Sequence, residues 1–129
     1  MAAGESERLE SGAEASGSGH LPVDLDHLRR YTMGDRQLER EILGLFADQL
    51  PVTIATLKSA TTDKEWSIAA HTLKGSARAV GAWSIATIAE CAEHLKPAAG
   101  HAEKGRLIRS MEEAADTARA FIASLDKVA

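Results

Sequence analysis

The stretch of this 129-residue chain whose residue types could do chemistry is Glu65–Gly81. At its middle stands His71, a side chain suited to nucleophilic work because unprotonated imidazole is well populated near neutral pH. Lys74, Gly75 and Arg78 follow within two helical turns. At about 100° per residue, Trp66, Ala70, Leu73, Ala77 and Val80 share one stripe of a helix, which reads as a core face. Lys64, Ser67, His71, Lys74, Gly75 and Arg78 fall on a second stripe about 130° away, so His71 should meet solvent in the middle of a rigid rod. Gly75 breaks a local rule there, because a mid-helix glycine costs about 1 kcal/mol relative to alanine and an exposed face does not demand one for packing. The missing side chain would let another protein's backbone approach the imidazole. Lys74 would place a mobile cation where the oxygens of an incoming phosphoryl group would sit, and Arg78 adds a second positive charge on that face. The stripe carries no Asp or Glu, so no carboxylate is expected to assist the histidine. Periodicity by itself is also compatible with a solvated helix face.

The run His71-Thr72-Leu73-Lys74-Gly75-Ser76-Ala77-Arg78-Ala79-Val80-Gly81 resembles the H-x-x-K-G-x-x-x-x-x-G signature of histidine-phosphotransfer (HPt) domains, including that of chemotaxis kinases. Val23-Asp24-Leu25-Asp26-His27-Leu28 with Gly34-Asp35, and a long helix with a proline near its middle, look like the same family, so the resemblance spans about residues 22–127. It implies that His71 is the phosphoacceptor, Lys74 the electrostatic helper and Gly75 the clearance residue, with Gly81 ending the helix. It further implies response-regulator receiver domains, or the receiver of a hybrid histidine kinase, as partners. The receiver would supply a divalent magnesium ion and most of the transition-state stabilisation, so this chain should hold no cofactor and no metal. Lys64, Ser67, Ile68 and Arg78 are the expected partner-facing residues, Arg78 from charge and geometry alone. Without a Gly-rich nucleotide loop or P-loop lysine motif, ATP is not an expected substrate and autokinase activity should be absent. The alternatives are a binding-only helical module that docks a receiver or kinase with His71 unused, and an enzyme using His71 as general base, against which the lack of a nearby carboxylate weighs.

The elements that must position His71 follow from punctuation. A short helix over about Asp24 to Met33 should stop at Gly34, and Asp35 should cap a long one to about Ala60. Thr62-Asp63-Lys64-Glu65 has the form of a capping box opening a third helix to Val80, with Gly81 as its stop. A fourth should run from Trp83 to Lys96, closed by Pro97 and Gly100. The last, about Ala102 to Lys127, carries Ile108, Met111, Ala115, Ala118, Ile122 and Leu125 as an apolar seam. Short connections make neighbours antiparallel, so the expected fold is all-α: an up-down four-helix bundle with a short additional N-terminal helix over one end. Pro51 should bend the second helix and could break it. Apolar residues there span roughly 200°, wider than the ~100° a core needs. Either the first helix covers the excess or a partner does.

Residues 1–20 (MAAGESERLESGAEASGSGH) hold too little apolar surface to offset ordering entropy and read as a disordered leader, His20 included, before a domain over 21–129. A net charge of −4 without a basic tract argues against nucleic acid. The lone Cys91 reads as a small buried thiol in a reducing cytoplasm, and the chain lacks an apolar run of bilayer length. His94 and His101 form no ligand array, and Trp66 and Trp83 read as core or helix-end packing. A cytoplasmic monomer is the expectation.

Overall fold

The computed structural model describes residues 21–95 and 100–128, and the expected leader, the Lys96 helix end and the Pro97 stop lie outside them. The described residues form five helices: α1 (Leu25–Thr32), α2 (Arg36–Lys58), α3 (Asp63–Val80), α4 (Trp83–Glu93) and α5 (His101–Val128).

Local chemistry sets each boundary. Asp24 caps α1 by accepting from the His27 amide at 3.1 Å, and α1 ends with Met33 and Gly34 both in the left-handed region. Asp35 caps α2 through the Leu38 amide at 3.0 Å. Thr62 and Glu65 close the capping box of α3 in both directions, and the amide and hydroxyl of Thr61 hold the Glu65 carboxyl below the usual carboxylate range. The fourth helix stops at Glu93, short of the expected Lys96; the His94 amide closes its last turn on the Glu90 carbonyl at 3.1 Å.

The long helices pack in a ring in which α2 touches α3, α3 touches α4, α4 touches α5 and α5 returns to α2. Lys58 meets Glu112 while Arg119 meets Ala47, so α2 and α5 run antiparallel; Trp66 against Ala92 and Arg78 against Glu90 give the same for α3 and α4. The main core gathers Leu43, Phe46, Leu50 and Ile54 of α2, Leu73, Ala77 and Val80 of α3, Ile85, Ala86 and Ala89 of α4, and Met111, Ala115, Ala118 and Ile122 of α5. A second cluster around Trp66, Leu57, Ala70 and Ala92 closes one end, where the Trp66 indole donates to the Ala92 carbonyl at 2.7 Å. The expected α3 stripe and the centre of the α5 seam are thus the buried faces.

Pro51 does not break α2. Lacking an N–H, it leaves the Ala47 carbonyl without its helical donor, and the Arg119 guanidinium of α5 donates to that oxygen instead at 3.1 Å. The excess apolar arc of α2 is not covered by α1. That helix leans on α2 and α3, tied by the Arg29–Glu39 ion pair at 2.7 Å, while Leu38, Leu45 and Val52 stay exposed. Cys91 is exposed, contrary to expectation, because Ile85, Ala86, Ala89 and Ala92 take the core face of α4 and Cys91 points about 150° from it.

Candidate functional site

Gly81 does more than end α3. Its φ is +83°, and a Cβ there would lie 2.8 Å from the Asp24 carbonyl oxygen; the Asp24 amide donates to the Gly81 carbonyl at 2.9 Å. The Trp83 indole donates to the Asp24 carboxylate at 3.0 Å, and the His27 ring stands edge-on to Trp83 with centroids 4.8 Å apart. Burial pushes the Asp24 carboxyl up, but the Trp83 and His27 hydrogen bonds outweigh it and hold the group below its ordinary value. The approach to α1 is therefore pinned to the two-residue α3–α4 turn, which fixes the register between α3 and α4.

That register brings the site together. His71 and Glu93 lie at equal sequence distances either side of Ala82, so antiparallel pairing places them side by side. The His71 side chain is 68% exposed, and its Nδ1 stands 2.9 Å from Glu93 Oε2. Lys74, one turn along α3, meets the other carboxylate oxygen, Oε1, as an ion pair at 2.5 Å. That oxygen is sealed from solvent and makes no aligned hydrogen bond, so the Lys74 ammonium is its electrostatic partner. Lys74 first and His71 second hold the Glu93 carboxyl below the ordinary carboxylate range. One turn earlier on α4, Glu90 receives Arg78 Nη2 at 2.9 Å.

Two expectations are corrected. A carboxylate does serve His71; it comes from α4 rather than from the histidine's own stripe. Lys74 is not a mobile cation, since its side chain is only 14% exposed and docked on Glu93. Of the other expected residues, Gly75 is exposed with open space around a Cβ, so no described residue requires glycine there. Lys64 and Ile68 are exposed and Ser67 is half-buried on the same helix, and His71 hydrogen-bonds to Glu93 rather than to any of them. Among the described residues no three His, Cys, Asp or Glu side chains gather as a metal site, and no helix is long and apolar enough to cross a membrane.

A surface imidazole paired to a carboxylate that a lysine also engages, on a helix of an antiparallel four-helix ring, makes an open site rather than an enclosed pocket. The profile of the Hpt domain family matches residues 41–127, and the chain belongs to that family. The match begins inside α2 and leaves α1 outside it. No curated protein and no solved structure matches the chain. Hpt domains are phosphocarrier modules of phosphorelays that work with receiver domains.

Proposed function

We propose that this chain shuttles a phosphoryl group between receiver-domain aspartates through phosphohistidine at His71. The observation that carries this reading is the 2.9 Å contact of His71 Nδ1 with Glu93 on an imidazole otherwise open to solvent. An ionised carboxylate only accepts, so the hydrogen at this contact belongs to Nδ1 and the lone pair to Nε2. Nε2 attacks the phosphorus of an aspartyl phosphate in line. The N–P bond forms, the P–O bond to the aspartyl group breaks, and the electron pair stays on the released carboxylate; no proton has to leave Nε2. Glu93 keeps the Nδ1 hydrogen and offsets the positive charge that the ring acquires as the bond forms. Lys74, positioned by the same carboxylate, adds positive charge beside the phosphoryl oxygens.

Docking rests on open surface around the ring. Gly75 gives clearance, Ile68 adds an exposed apolar side chain, and Leu38, Leu45 and Val52 form a row at seven-residue spacing along α2. That row lies about 100° around α2 from Gly44, Pro51 and Ala55, which border the groove against α5, so it faces away from that groove and is open to a partner. Lys64, Ser67 and Arg78 complete the partner-facing set. Magnesium belongs to the receiver, this chain needs no cofactor, and it acts in the cytoplasm as a monomer without autokinase activity.

The test is phosphoryl transfer from phosphorylated receivers of the source organism to wild type and to His71→Gln. An acid-labile, base-stable label on wild type and none on the variant is the expected result. Binding of receivers with no transfer to wild type would replace this reading with a docking module.

A further inference from the structure

Resting on the carrier reading, we infer that the Arg78–Glu90 pair selects which receiver docks productively, with Arg78 as the reading group and Glu90 as its positioning residue. Arg78 lies seven residues beyond His71, about 20° around the helix and about 10.5 Å along it, so a partner that covers the imidazole also covers the guanidinium. The two side chains of the pair are 52% and 48% exposed, in contrast to Lys74, which is tucked against Glu93 and has little surface to offer. One guanidinium nitrogen, Nη2, is engaged by Glu90 at 2.9 Å, which turns that end of the fork toward α4 and leaves the other N–H donors without an acceptor among the described residues.

A docking partner removes the solvent around these donors. Donors left without an acceptor then carry a desolvation penalty, whereas a carboxylate or carbonyl opposite the open edge of the fork satisfies them with charge-assisted hydrogen bonds. The preferred receiver therefore presents an acceptor about two helical turns from its reacting aspartate, on the side of Arg78 away from α4. An acceptor on the α4 side meets Glu90 and is repelled. Without Glu90 the guanidinium keeps its charge but loses its fixed orientation, and discrimination weakens though attraction remains.

The experiment measures KM and kcat for transfer from a panel of phosphorylated receivers of the source organism to four full-length proteins: wild type, Arg78→Ala, Glu90→Gln and the double swap Arg78→Glu with Glu90→Arg. Arg78→Ala should raise KM several-fold for the best receiver with a much smaller change in kcat. Glu90→Gln should narrow the spread of KM values across the panel, and the swap, which keeps an ion pair between α3 and α4, should reorder the receivers. Circular dichroism and thermal melting establish that each variant is folded. If all three folded variants keep the wild-type KM values and ranking, the pair is only a surface bridge and the inference is wrong. If wild type itself accepts no phosphoryl group from any receiver, the carrier reading has failed instead, and the two failures are distinct.

Discussion

Replacing Gly75 with alanine should make the protein more stable and a poorer phosphotransfer partner at once. The glycine is inside α3, five residues from its C-terminal end, and a Cβ built on it meets nothing within 4 Å. Alanine therefore brings no clash, and the folded chain gains the ordinary difference between the two residues in a helix interior, about 0.8–1 kcal/mol. For a domain of this size that raises the melting temperature by about 3–5 °C. The same methyl group stands one turn from the imidazole, on the surface a receiver must approach. Transfer should lose KM first, and Gly75→Leu, which also favours helix over glycine, should lose more. Thermal and urea denaturation on one side, and transfer kinetics from a phosphorylated receiver on the other, separate the effects. A variant that gains stability and transfers like wild type would refute the clearance argument, and a variant that loses stability would show that the fold itself needs glycine there.

Gly81→Ala should behave in the opposite way, losing about 2–4 kcal/mol in urea denaturation, because the residue has a left-handed φ and its new methyl would overlap the Asp24 backbone. Arg119→Ala should cost about 0.5–1.5 kcal/mol by leaving the Ala47 carbonyl without a protein donor. The loss should shrink when Pro51→Ala restores the backbone N–H, a coupling that a double-mutant cycle reads directly. Glu93→Gln should slow transfer several-fold and loosen the tautomer preference of His71, seen as converging ¹⁵N shifts of Nδ1 and Nε2 in the unphosphorylated protein. The lowered Glu93 pKa means that this carboxylate's stabilising contribution is complete above its ordinary value of 4.5 and is lost as the pH falls through the lower folded value. An NMR titration of the Glu93 side-chain carbonyl should accordingly show a midpoint below 4.5, moving upward in Lys74→Ala.

Much of the architecture was legible because it is decided within a few residues. The capping box at Thr62–Glu65 and the aspartate cap at Asp35 act on amides three positions away, and Gly81 ends α3 on carbonyls three and four positions back. A stripe such as Trp66, Ala70, Leu73, Ala77 and Val80 needs only the helical repeat to declare itself. The end of α4 was less legible, since Pro97 sets only a latest possible stop and a frayed turn can close earlier. The Arg119 donor that completes α2 at Pro51 lies on another helix, and no local pattern announces it.

The candidate site divides in the same way. That His71 is exposed, that Lys74 and Arg78 share its face and that Gly75 is conspicuous there are properties of one helix, and the sequence alone determined them. What His71 and Lys74 touch was decided only when α3 met α4. The Gly81–Ala82 turn, locked by Asp24 and Trp83, sets a register in which Glu93 reaches both residues and Glu90 reaches Arg78. A signal for this existed in the equal spacing of His71 and Glu93 about that turn, but equal spacing becomes contact only if the two helices pack antiparallel with those faces turned together. Side-chain periodicity reports which face of a helix leaves water; which neighbour's charges it then meets depends on the packing of whole helices.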